Sequence, residues 1–383
     1  MCGGDPAASR RRDKPMRIAL IAPPWLPVPP PAYGGIEAVV DRLARGYQAA
    51  GHEVLLFTTG DSTCPVPRGW ILPEAASEHM GRSLDESRHV VAAYAAAGSC
   101  DIVHDHTLIG PLFARLGAHP PVVTTAHFPM SGQHHALYQA LKGRVPIVAL
   151  SRSQLVADVP VAAVIHNGIR VADFPVGSGD GGYLLFLGRM DPGKGVAEAV
   201  RIARRLGARM IVAAKMRTPW ERAYFEERVR PMLGGDVEFV GEPTAEERLG
   251  LLQGARALVF PIRWPEPFGL VMAEALACGT PVVARPVGAA PEVIDDGITG
   301  FLADDEDAMV HALDRIDELD RRMCRRAAEE RFSDERMVAR HLALYERLLA
   351  RRPLAIPIVS RRAGRVVRVL GPAGVGARPV GRC

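Results

Sequence analysis

Glu266 and Glu274 stand eight residues apart in a segment running from Trp264 to Ala284. Prolines at 265 and 267 keep Glu266 in a loop, just ahead of a helix expected to start near Phe268. Glu274 falls inside that helix, among Val271, Met272, Ala273 and Ala275. Ionised groups in apolar surroundings need a partner, so the pair reads as ligand-binding, with both carboxylates reaching one ligand from two depths. The helix start adds free backbone N–H groups suited to a phosphate or a sugar hydroxyl. A second element, Gly188-Arg189-Met190-Asp191-Pro192-Gly193-Lys194-Gly195, directly follows the apolar run 183–187. Two cations five apart on a Gly/Pro-rich loop at a strand end suit a diphosphate. Taken alone, a solvated loop is the alternative. The segment matches neither GxxxxGK[ST] nor GxGxxG.

Histidines form the third group. His104 and His106 flank Asp105 at a strand end, where imidazoles are commonly just hydrogen-bonded; a metal or acid/base role is the alternative. His127 follows another apolar run, and His134-His135 reads as a surface pair. No metal-ligand constellation emerges. Asp295-Asp296 and Asp304-Asp305 read as surface turns.

These side chains need a scaffold, and the hydrophobic pattern supplies one. Residues 17–22 form a short apolar run suited to a buried parallel strand. A proline-rich loop leads to Tyr33-Gly34-Gly35, and then Ile36, Val39, Val40, Leu43 and Tyr47 share one helical face ending at Gly51. Further strands are expected at 53–58, 101–103, 122–125, 147–150 and 164–165. Gly and Ser cluster at 173–182, which reads as a linker. Strands then resume at 183–187, 209–213, 237–240, 257–260 and 281–284, and a capping box, Thr244 with Glu247, opens a helix. Strand–helix alternation on both sides of the linker implies two doubly wound parallel sheets, with ligands beyond the carboxyl ends of their strands. The expected domains are a disordered 1–15, a first Rossmann-like domain 16–172, the linker, a second Rossmann-like domain 183–333, a helix 334–350 and a basic tail 351–383.

Composition bounds the rest. With 48% hydrophobic and 23% charged residues, the 383-residue chain is of globular type. The net charge of +4 is unevenly placed, since residues 351–383 carry eight Arg and no acid. The body is net acidic, which argues against a nucleic-acid-binding core. Six scattered Cys show no zinc spacing and suit a reducing compartment. No run of about 18 apolar residues is present and nothing resembles a signal peptide, so a cytoplasmic location is expected. The Arg-rich tail has two readings, a disordered extension or an electrostatic attachment to the inner membrane face.

In these motifs the chain resembles the family 4 retaining glycosyltransferases, which have the two-domain GT-B fold. The family's Glu-x7-Glu motif is matched by Glu266 and Glu274, and its Arg-x4-Lys pair by Arg189 and Lys194. Tyr33-Gly34-Gly35, His127, 166–169 and 288–302 match more weakly, and the likeness spans roughly residues 16–350. The resemblance implies a nucleoside diphosphate sugar as co-substrate, with no cofactor or metal. Arg189 and Lys194 would hold the diphosphate as it leaves, Glu266 the transferred sugar and Glu274 the ribose. Phe268, Gly269 and Leu270 would offer backbone N–H groups, Gly34 and Gly35 would let the first loop approach the diphosphate, and His127 would lie near the reacting sugar. The last helix would cross back onto the first domain. The leaving group is a diphosphate anion, so fixed cations aimed at it lower the barrier. UDP- and GDP-sugars both fit, with base recognition near Lys215 and Glu242. The acceptor, whether glycan, lipid carrier or natural product, would meet loops 64–89 and 130–144. A sugar-nucleotide epimerase or hydrolase and a non-catalytic sugar-nucleotide binder are the alternatives.

Overall fold

The computed structural model describes residues 14–114 and 120–350. Short runs of Val, Ile, Leu and Ala, buried on both faces, form its central strands, as parallel sheets covered by helices require. The first sheet contains β1 (Arg17–Ile21), β2 (Glu53–Phe57), β3 (Arg68–Gly69), β4 (Ile102–Asp105), β5 (Val122–Ala126), β6 (Ile147–Ala149) and β7 (Ala163–Val164). Their spatial order is β3-β2-β1-β4-β5-β6-β7, with every pairing parallel. The second sheet contains β8 (Tyr183–Arg189), β9 (Arg209–Lys215), β10 (Val237–Gly241), β11 (Ala257–Phe260), β12 (Val282–Ala284) and β13 (Gly300–Leu302). Its order is β10-β9-β8-β11-β12-β13, again parallel throughout. Each sheet reverses its winding at one place, between β1 and β4 and between β8 and β11. Such switch points open crevices beyond the strand ends.

The helix Gly35–Ala49 buries Val39, Val40, Leu43, Ala44 and Tyr47, the stripe expected from its period. On that stripe lies the closing helix Asp334–Ala350, which buries Met337, Val338, Leu344 and Tyr345. The hydroxyls of Tyr47 and Tyr345 are 2.8 Å apart. The closing helix starts beside the junction of the two halves, where Ile169 N–H donates to Phe332 O at 2.8 Å and Asp334 N–H donates to Ile169 O at 2.9 Å. It thus returns the chain to the first half, as expected of the fold. One apolar cluster runs from Ile18 and Leu20 through Leu185 and Phe260 to Phe268, Met272 and Tyr345, joining both sheets.

Three differences from the sequence reading have physical causes. β3, an Arg-Gly pair, and β13, Gly-Phe-Leu, contain no run of β-branched or aliphatic residues to mark them as strands. The segment 64–89, expected as a loop, enters a helix at Ser83–Ala96 whose weak amphipathicity hides it. The Gly-rich segment 173–182 is laced to the second half rather than left loose. Gly177, Gly179 and Gly181 donate their N–H groups to Cys278, Gln253 and Gly254 carbonyls at 2.9–3.0 Å. Of the segment 1–15 expected to be disordered, residues 1–13 lie outside the described residues, as does the basic tail 351–383. Among the described residues no helix is long and apolar enough to cross a membrane.

Candidate active site

Both switch points deliver polar residues to the crevice between the sheets. β8 ends at Arg189, and the next turn is set by Asp191, whose Oδ1 accepts the Gly193 N–H at 2.7 Å. This turn brings Lys194 inward, to 9% exposure. β11 leads into the loop holding Glu266, and Arg263 N–H donates to Gly193 O at 2.8 Å, tying the two loops together. The Lys194 ammonium pairs with the Glu266 carboxylate, which also accepts Trp264 Nε1–H at 2.7 Å. The ammonium lies 5.5 Å from the Trp264 ring and 6.0 Å from that of Phe260. Arg189 is held more loosely, at 3.8 Å from Asp191 and 3.6 Å from Glu221, with its side chain 44% exposed.

Glu266, Lys194 and Arg189 open into a cavity of about 230 Å³ whose opposite wall includes His127 and Asn167 from the first half. Glu274 opens instead into an adjoining cavity of about 380 Å³, with Gly34, Arg42 and Arg248. Tyr33, Gly35 and Leu270 line both cavities. The two glutamates, expected to reach one ligand from two depths, flank a wall that the adjoining cavities share. The helix Leu270–Ala277, which carries Glu274, begins two residues later than expected. Phe268, Gly269 and Leu270 line the smaller cavity, although Phe268 is buried against Phe332, with ring centroids 5.6 Å apart. Glu274 is 3% exposed and lies 3.9 Å from Arg248 Nε.

Gly34 is required by its own loop. A Cβ there would fall 2.7 Å from Pro30 Cβ and 2.8 Å from Leu26 Cδ1, whereas one on Gly35 would make an ordinary 3.6 Å contact with Leu270. Tyr33, which the sequence reading left without a role, is the hub. Its carbonyl accepts Lys215 Nζ–H at 3.1 Å, its N–H donates to Glu242 at 3.3 Å, and its ring stands 4.4 Å from the Lys215 ammonium. Lys215 and Glu242, expected at the base, thus hold the first loop against the second half. Burial, then the neighbouring Arg217, lowers the Lys215 ammonium to about 8. Burial raises Glu37, beside the same cations, to about 7. Burial and the carboxylates of Glu266 and Glu274 raise the Tyr33 hydroxyl far above its ordinary value.

Behind His127 lies a buried polar cluster. His104 and His106 share one side of the chain leaving β4, while Asp105 points the other way, as strand alternation dictates. Asp105 accepts Tyr94 O–H at 2.8 Å and Thr107 N–H at 2.8 Å, and burial raises it to about 7. His104 bonds Thr125 Oγ1 through Nε2 at 2.8 Å and Tyr345 O–H through Nδ1 at 2.5 Å. His106 Nδ1 and His127 Nε2 are 2.9 Å apart. The ring of His341, on the closing helix, lies 5.2 Å from that of His104, and burial pushes all four imidazoles down, His127 to about 3 and His341 to about 4. They are neutral at pH 7.

The arrangement joins two cations, two glutamates and a neutral imidazole across one crevice. Residues 181–318 match the family described as "Glycosyl transferases group 1", and residues 33–173 match "Glycosyltransferase Family 4". A phosphatidyl-myo-inositol mannosyltransferase of Mycolicibacterium smegmatis is 28% identical, over 78% of this chain and 84% of that protein. A D-inositol 3-phosphate glycosyltransferase of the same organism is 27% identical, over 92% of this chain and 96% of that protein. Among solved structures, AviGT4, a glycosyltransferase involved in avilamycin A biosynthesis, aligns with a TM-score of 0.68 at 27% identity, over 88% of this chain and 99% of that one.

Proposed function

Because the chain belongs to the family 4 glycosyltransferases of GT-B fold, we propose that it moves a hexose-type sugar from a nucleoside diphosphate to an acceptor hydroxyl, with retention and without a metal. The observation that carries this reading is the Lys194–Glu266 pair facing His127 across one cavity, with Arg189 at its rim. Without donor, each member of the pair satisfies the other's charge. A diphosphate offers Lys194 and Arg189 a stronger anion, and the freed Glu266 then accepts hydrogen bonds from sugar hydroxyls. Charge building on the departing diphosphate meets cations already in place, so no solvent need reorganise at that moment. The larger cavity, with Glu274 beside Arg248, suits the ribose and base.

The acceptor approaches from the first half. The two mycobacterial relatives are named for inositol-bearing substrates, which makes phosphatidylinositol and inositol phosphate the first acceptors to assay.

The test is transfer from UDP- and GDP-sugars by the wild-type chain and by Lys194→Ala and Glu266→Ala. Each variant is expected to lose about 10²–10³-fold in turnover while its circular dichroism stays that of the wild type. Near-normal turnover by Lys194→Ala would sink the leaving-group role. Retention is read from the anomeric coupling constant of the product, and metal independence from activity in excess EDTA. Donor breakdown with no acceptor-linked product would identify a hydrolase instead.

A further inference from the structure

Among the described residues, three imidazole nitrogens are buried with no hydrogen-bond partner: His89 Nδ1 and His106 Nε2 in the first half, and His341 Nε2 on the closing helix. Two are explained by the other nitrogen of the same ring. His341 Nδ1 faces the Met337 carbonyl at 2.9 Å and His89 Nε2 faces the Ala22 carbonyl at 2.9 Å. A carbonyl only accepts, so each facing nitrogen carries the proton and each orphan is a bare lone pair. Buried acceptors without partners are tolerated more often than buried N–H groups without partners.

The same reasoning applied to His106 fixes a proton at the site. If His127 donated to His106 Nδ1, the neutral His106 ring would carry its proton on Nε2, a buried N–H with nothing to accept it. The alternative places the proton on His106 Nδ1, directed at His127 Nε2 2.9 Å away. His127 must then carry its own proton on Nδ1, the nitrogen left for the cavity that this residue lines. We propose that His106 is a positioning residue: its Nδ1–H donates to His127 Nε2 and locks His127 as the Nδ1–H tautomer, so that His127 presents a hydrogen-bond donor, not a base, to the sugar in the cavity. The assignment goes beyond the transfer reaction and rests on that reading only in naming the sugar as what meets the donor. His106 is itself held by the chain, since its N–H donates to Ile21 O at 2.9 Å and its ring lies 4.0 Å from that of His104.

The direct test needs no turnover. Long-range ¹H–¹⁵N spectra of the ¹⁵N-histidine-labelled full chain, with the His127 signals identified by their loss in His127→Gln, report the tautomer. Nδ1–H is expected in the wild type, and Nε2–H, the form a free histidine side chain favours in water, in His106→Leu. Nε2–H at His127 in the wild type would overturn the proposal whatever the enzyme transfers. Kinetics supply the second arm. The amide nitrogen of Asn overlays histidine Nδ1, so His106→Asn keeps the donor while shrinking the side chain, and His106→Leu keeps the bulk and drops the donor. His106→Leu is expected to lose about tenfold or more in kcat, as wrong-tautomer variants do, with His106→Asn restoring most of it. A packing role predicts the opposite order, and that order would refute the proposal.

Discussion

At the scale of single residues, the site is built from groups whose charge is conditional. Lys215 is the clearest case, because burial and the nearby Arg217 bring its ammonium down to about 8. A diphosphate entering the cavity that Lys215 lines would favour the charged form and raise that value again. Nucleoside diphosphate binding is therefore expected to take up protons near pH 8 and to weaken as the pH rises above it. The sign is that of a depressed lysine, already losing its proton in the free protein where an exposed one would keep it. Calorimetry in two buffers of different ionisation enthalpy measures the uptake, and Lys215→Arg should remove it while preserving the charge. Uptake that survives in Lys215→Arg belongs to Glu37, which burial raises to about 7 beside the same cations. Binding enthalpies that do not change with buffer would refute both.

At the scale of elements, the Glu266 loop is shaped from behind. Ala289 N–H donates to Glu266 O at 2.9 Å, and Gly288, with φ of 61°, lies so close that a Cβ would fall on the backbone of Glu266. Gly288→Ala therefore combines left-handed strain with a backbone collision. We expect a loss of about 1–3 kcal/mol in unfolding free energy, read by denaturant titration, together with a raised KM for donor. A Gly288→Ala protein as stable as the wild type would show that the loop yields freely. Such dependence explains what the sequence disclosed and what it hid. The buried strands were legible because their apolar runs end where the loops begin, and Arg189, Lys194, Glu266 and Glu274 because charge stood out against apolar or Gly/Pro-rich surroundings. Tyr33 was hidden, since nothing in its neighbours signals contact with Lys215 and Glu242 some two hundred residues away. His104 and His106 were visible as a pair, yet their partners come from β5 and from the closing helix. Pairings between distant elements leave no local period to read.

At the scale of the whole molecule, the crevice works only while its two walls face each other, and a small number of contacts set that distance. Glu292 is central among them. From the second half its Oε1 accepts Ser153 N–H at 3.1 Å and its Oε2 accepts His166 Nε2–H at 3.1 Å. Burial lowers His166 despite the carboxylate, so the imidazole bridges as a neutral donor at pH 7. Arg331 holds Glu292 from the other side by bonding its carbonyl and, at 2.6 Å, Asp295. None of these groups lines the cavity that holds Lys194, Glu266 and His127. Losing the bridge should therefore change how often the walls are apposed without altering what they do when they meet. Apparent affinity falls in proportion to the fraction of competent molecules, so Glu292→Ala is expected to raise KM for donor by about three- to tenfold with kcat at saturation near the wild-type value. A kcat that falls while KM holds would place Glu292 in the chemistry instead, and the apposition of the two halves would then depend on the closing helix and its Tyr345–His104 contact.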